Sequence, residues 1–150
     1  MKKLEYFLAF ATILCLCIKL FDFPLGNFLN IMGSSALAMF YLFSGYFIVN
    51  ELSFEAKDVN VKNPGFFETM LGILTGVFIS VAVIGLMFYV QDWPGGLAFL
   101  IIGNMGLSIT LFASFFRFKS WSIQPAKAVM SRALLFIMGT AVFAFIRFVI

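Results

Sequence analysis

Two short phrases fix the outline of this chain. Asp22-Phe23-Pro24-Leu25-Gly26 stands between two apolar runs near the start, and Asp92-Trp93-Pro94-Gly95-Gly96 stands between two more, 70 residues later. Proline suits the first turn of a following helix, where its missing N–H costs nothing, and glycine accepts the backbone angles of a tight reversal. Each phrase is too short to cross anything, so the runs it joins are expected to be antiparallel neighbours.

Five apolar runs cover residues 4–21, 25–49, 66–90, 95–116 and 133–150. A hydrocarbon core takes roughly 20 mostly apolar residues per helix, and the first and last runs are slightly short of that. Only 11% of the 150 residues are charged and 63% are hydrophobic, whereas a soluble domain is about a quarter charged. A chain of this size cannot hide so much apolar surface in its own core, so the missing solvent is lipid. The expected fold is an all-α integral membrane protein, one domain with about five transmembrane helices. Residues 4–50 form repeat one, 66–118 repeat two and 131–150 a fifth helix. The two hairpins make a four-helix bundle and the fifth helix lies on its periphery.

The repeat rests on more than the turn. Superposing Pro24 on Pro94 also pairs Gly26 with Gly96, Gly33 with Gly103, Leu37 with Leu107 and Ser44 with Ser114. Asp, Pro and Gly are not apolar filler, so one register held over this length points to duplication. Both copies run out and back, which predicts parallel repeats about an axis along the membrane normal.

Charge sets the expected orientation. Lys2, Lys3, Lys57, Lys62, Arg117, Lys119, Lys127 and Arg132 fall on one side of the five spans, and Lys19 and Arg147 on the other. The positive-inside rule then places the N-terminus in the cytoplasm of a bacterial inner membrane and the C-terminus in the periplasm. The basic balance is a topology signal, not a nucleic-acid footprint. The stretch 117–132, with Trp121 and Pro125, reads as a loop or as a helix lying on anionic headgroups. Lys2-Lys3 and the run behind them imitate a secretory signal. No small-residue cleavage pattern follows, and Leu14 and Leu16 precede the two cysteines where a lipoprotein signal wants a small residue. The segment therefore reads as a retained first span.

Candidate chemistry is sparse. There is no histidine, the usual base near neutral pH and the commonest metal ligand. Cys15 and Cys17, two apart on a helix, point to different faces and read as small apolar residues. No Asp or Glu is expected deep in a span. Catalytic residues, metal ligands and cofactors are therefore all read as none. Asn104 is expected to bond a neighbouring helix, and Gly72, Gly76 and Ser80 form a small-residue stripe matched by Ser34 and Ala38. That stripe fits either packing within the chain or a face between copies. At the outer turns, Lys19 and Asp22 are spaced to pair, the two aspartates to cap the helices that follow, and Phe23 and Trp93 to sit in the aromatic belt. A polar contact site for a protein or cation is the alternative there, built from Lys19, Asp22, Pro24, Gly26, Asp92, Trp93, Pro94 and Gly96.

Lys19-Leu20-Phe21-Asp22-Phe23-Pro24-Leu25-Gly26 resembles the Lys-x-x-His-Trp-Pro-Gly turn of small inner-membrane proteins of Bacteroidetes-type bacteria, and Asp92-Trp93-Pro94-Gly95 looks like a second copy. That group includes the membrane subunit of the gliding-motility and type 9 secretion motor. The resemblance implies a shared hairpin design. Both copies here carry Asp where the family turn has His. The family's embedded Glu would fall near Tyr41, or Leu111 in the second copy, and neither is a carboxylate. The expected function is thus a non-enzymatic accessory, assembly or scaffold subunit of a larger membrane complex, its partners being the bilayer and a membrane protein or further copies of itself. The alternatives are an ion-conducting or stator-like homo-oligomer, and a carrier or sensor of lipids or other apolar molecules.

Overall fold

The computed structural model describes residues 2–21, 23–49, 66–117 and 123–149. They form five helices: α1 (Lys2–Leu20), α2 (Gly26–Val49), α3 (Phe66–Val90), α4 (Gly96–Arg117) and α5 (Ile123–Val149). Four contain stretches long and apolar enough to cross a membrane: Gly26–Gly45, Thr69–Val90, Gly96–Phe116 and Val129–Val149. The protein is thus an all-α, multi-pass membrane protein. α1 falls outside that set because its 19 residues carry Lys3, Glu5 and Lys19, too many charges for so short an apolar helix. Its 19 residues still measure about 28 Å at 1.5 Å per residue.

α3 is the axis of the bundle. It packs most extensively against α4 and α2, then against α5, and it also touches α1. Of its apolar stretch 61% is buried, against 17% for α5, so α5 is peripheral in its burial. The main core joins Leu37, Ala38 and Tyr41 of α2 to Ile79, Ala82 and Val83 of α3, Leu107 of α4 and Ala133 of α5. A smaller cluster of Leu16, Leu86, Val90 and Leu100 lies nearer the two turns.

Lipid tails are as apolar as leucine, so close backbone approach has to drive these contacts. A Cβ on Gly45 would lie 2.6 Å from the Gly76 Cα, and one on Gly76 would lie 2.6 Å from the Tyr41 carbonyl oxygen. The Gly72 carbonyl is 3.8 Å from the same Gly45 position. The Ser80 hydroxyl reaches the Ala38 carbonyl at 2.7 Å. The Gly72–Gly76–Ser80 stripe therefore packs on α2 inside the chain. A second seam, absent from the sequence reading, joins α3 to α4: a Cβ on Gly103 would sit 2.5 Å from Ala82 N, and one on Gly85 would collide with the Leu100 backbone.

The two turns share one hydrogen-bond pattern. The amides of Phe23 and Gly26 donate to Ile18 and Phe23 carbonyls, and those of Trp93 and Gly96 to Phe88 and Trp93. Residues 23–26 and 93–96 are four-residue turns with proline second and a left-handed residue third, Leu25 at φ 71° and Gly95 at φ 86°, as a type II turn requires. Pro24 and Pro94 thus precede the helices by two residues, rather than standing in their first turns. Asp92 does not cap α4. At φ 57°, with its own amide donating to Tyr89 and the Trp93 amide to Phe88, it is the left-handed residue that closes the C-terminus of α3. Aspartate tolerates that conformation better than most side chains. Asp22 lies outside the described residues.

α5 begins at Ile123, with Pro125 in its first turn, not at residue 131 as expected. Proline is tolerated there because no intrahelical partner awaits its N–H. Arg132, expected in the loop between α4 and α5, is consequently inside the helix. The loop cations Lys57, Lys62 and Lys119, and Trp121, lie outside the described residues.

Candidate functional site

The best-defined polar constellation was not among the expected residues. Glu5 stands in the first turn of α1, where a carboxylate suits the helix dipole, and it is only 4% exposed. Arg132 of α5 grips it with one edge of its guanidinium: Nε donates to Oε1 at 2.8 Å and Nη2 to Oε2 at 3.0 Å. The Tyr41 hydroxyl of α2 donates to the same Oε1 at 2.5 Å. Glu5 stands at the very start of the run 4–21, so no acid is shown deep in a span among the described residues, but it is a buried acid and Arg132 pairs it in place. A carboxylate with an acceptor site at each oxygen is matched by a planar fork, which places both charges with little freedom.

Tyr41 ties this centre to the rest of the bundle. It is 1% exposed. Its ring meets Phe136 edge-on at 5.1 Å, and its carbonyl oxygen faces Gly76 at the α2–α3 crossing. One residue thus meets α1, α3 and α5. A carboxylate thus reaches Tyr41 from α1. The sequence held one signal for this. Arg132 is in helical phase with Val129, Phe136 and Thr140 (i−3, i+4, i+8), but that becomes visible only once the helix is carried back through residue 132.

The other end of the bundle gathers the turn residues. Asp92 Oδ2 accepts from Arg147 Nη2 of α5 at 2.5 Å, with the Asp92 side chain 74% exposed. Trp93 packs edge-on against Phe88 at 5.0 Å. Gln91 Nε2 donates to the Asn27 carbonyl at 3.1 Å, joining the end of α3 to the start of α2. Lys19 lies in the last turn of α1, its Cα 3.0 Å from where a Cβ on Gly26 would be. A Cβ on Gly96 would be more crowded still, 2.5 Å from Tyr89 N. Pro24 and Pro94 are exposed at the turn surface. Asn104 stands apart from both ends: its Oδ1 accepts from Thr140 of α5 at 2.9 Å and its Nδ2 donates to Leu100 at 2.9 Å.

The described residues contain no cluster of three or more His, Cys, Asp or Glu able to hold a metal ion. Comparison with protein-family profiles, with curated proteins and with solved structures finds no match.

Proposed function

We propose that this protein is a non-enzymatic accessory, assembly or scaffold subunit of a larger membrane complex. One observation carries the reading: the buried Glu5–Arg132–Tyr41 centre pairs its acid with a base and a hydroxyl while fixing three helices relative to one another. Chemistry needs a group free to gain or lose a proton or a bond. Here the strongest donors and acceptors hold helices in place, which suits a rigid platform for neighbours. The small-residue stripe on α3 supports the same view, since it is occupied by α2 and leaves a partner to bind elsewhere. The test is purification of the tagged chain from its own membranes in a mild detergent. A defined membrane protein in fixed ratio is expected. Isolation as a lone monomer with its cellular role intact would sink the proposal.

The location that goes with it is a bacterial inner membrane, N-terminus in the cytoplasm and C-terminus in the periplasm. The contact of Glu5 with Arg132 supports grouping the N-terminus with the start of α5, and Lys19 and Arg147 close the far ends of their helices. Duplication of an ancestral hairpin is supported by the shared hydrogen bonds of the two turns.

A second reading, an ion-handling or stator-like oligomer akin to the gliding and secretion motor subunit, draws support from the carboxylate beside Tyr41. It loses the Gly72–Gly76 face as an argument for oligomerisation. Proton flux in proteoliposomes that falls with Glu5→Gln would favour it over the scaffold; flux at the level of empty vesicles would remove it.

A further inference from the structure

A slot opens between α1 and α5. Thr12 and Ile13 of α1 form one wall, Phe136 and Gly139 of α5 the other, and Leu37 and Val83 lie at its floor. α1 and α5 make no extended contact along it. They are joined toward one end by the Glu5–Arg132 pair, and toward the other Leu16 and Phe143 pack into the same cluster. The result is a lateral window facing the bilayer, about 12 Å long at 1.5 Å per residue from Leu135 to Phe143.

We infer that this window binds one alkyl tail of a bilayer lipid, lying parallel to the helices. Three observations select that occupant. The hydroxyls at the slot are already engaged: Thr12 with the Leu8 and Gly33 carbonyls, Ser34 with Asn30 Oδ1, and Thr140 with Asn104 and the Phe136 carbonyl. A polar ligand would find no free donor among them, and hydrocarbon requires none. The slot's volume is about 90 Å³, smaller than the roughly 150 Å³ that holds a benzene ring. That admits part of an unbranched chain and excludes a fused-ring sterol or a partner helix about 10 Å across. Gly139 supplies the third. A mid-helix glycine costs about 1 kcal/mol relative to alanine, yet a Cβ there would meet nothing within 4 Å. Its missing side chain brings no helix closer; it leaves the slot open.

The experiment uses the full chain in phosphatidylcholine vesicles, a fraction of whose lipids carry a photoactivatable diazirine midway along one acyl chain. After illumination, adducts are mapped by mass spectrometry. They are expected to concentrate on slot residues over Ile109 and Phe112 of α4, which also face lipid. Gly139→Phe should lower slot adducts about tenfold, as loss of burial for about two methylenes would, and leave those on α4 unchanged. Ile13→Trp narrows the slot from the opposite wall and should do the same. Equal labelling of slot and α4 in the parent protein, or adducts indifferent to both substitutions, would overturn the inference.

Discussion

Leu25 and Gly95 hold equivalent places in two turns of one hydrogen-bond pattern, and only one of them suits it. A left-handed conformation costs a β-carbon-bearing residue about 1–2 kcal/mol, and Leu25 adopts it at φ 71°. Leu25→Gly is expected to stabilise the protein by about 1 kcal/mol net of the entropy of the extra glycine, read as a higher midpoint of unfolding in detergent. Gly95→Leu should lower that midpoint. At the other end, the Glu5–Arg132 pair should resist dissection. Arg132→Met leaves a carboxylate buried beside one tyrosine and is expected to cost about 3 kcal/mol or more, while Glu5→Gln combined with Arg132→Met should recover much of that loss. A double-mutant cycle from unfolding curves measures the coupling, and simple additivity of the two single variants would contradict the geometry. The exposed Asp92–Arg147 pair contrasts with it: Asp92→Asn should shift stability by about 1 kcal/mol or less.

Glycines divide the helices by what their missing side chains allow. At the α3–α4 seam Gly103 faces Ala82 backbone, and a Cβ there would be 2.5 Å from its amide nitrogen. Gly103→Ala should force the helices apart and cost about 1–3 kcal/mol. Gly139→Ala has open space and should instead stabilise α5 by about 1 kcal/mol. One substitution type thus carries opposite signs in neighbouring helices, and thermal unfolding of the two variants checks both. Element existence was legible in the sequence because runs of helix length in lipid admit few other forms. The start of α5 was not. Arg132 reads as a loop cation until a partner for it is known, and its partner lies 127 residues away. The Gly96–Gly103 seam was equally hidden, since spacing alone cannot say which helix a small residue meets.

At the scale of the molecule, α1 and α5 share an end, as do the two turns, so the chain alternates direction through five helices. Reporter fusions should find the N-terminus and the segment 50–65 on one side of the membrane, and the turns at residues 23–26 and 93–96 on the other. A fusion at either turn that reports the same compartment as the N-terminus would break this topology. α3 at the centre also explains why the bundle has two kinds of seam. It presents Gly72, Gly76 and Ser80 to α2 and Ala82 and Gly85 to α4, so both hairpins close on the same helix.

Sequence by itself determined the solvent, the number of helices and the places where the chain reverses. Those properties follow from local chemistry: apolar length against bilayer thickness, and proline and glycine at the turns. The tertiary structure alone decided that Glu5, Tyr41 and Arg132 meet, that the α3 stripe is spent within the chain, and that Gly139 opens a slot. Each depends on the rotation of one helix about its axis relative to another. In a helix apolar on every side, hydropathy leaves that angle open, and only side chains packed against side chains set it.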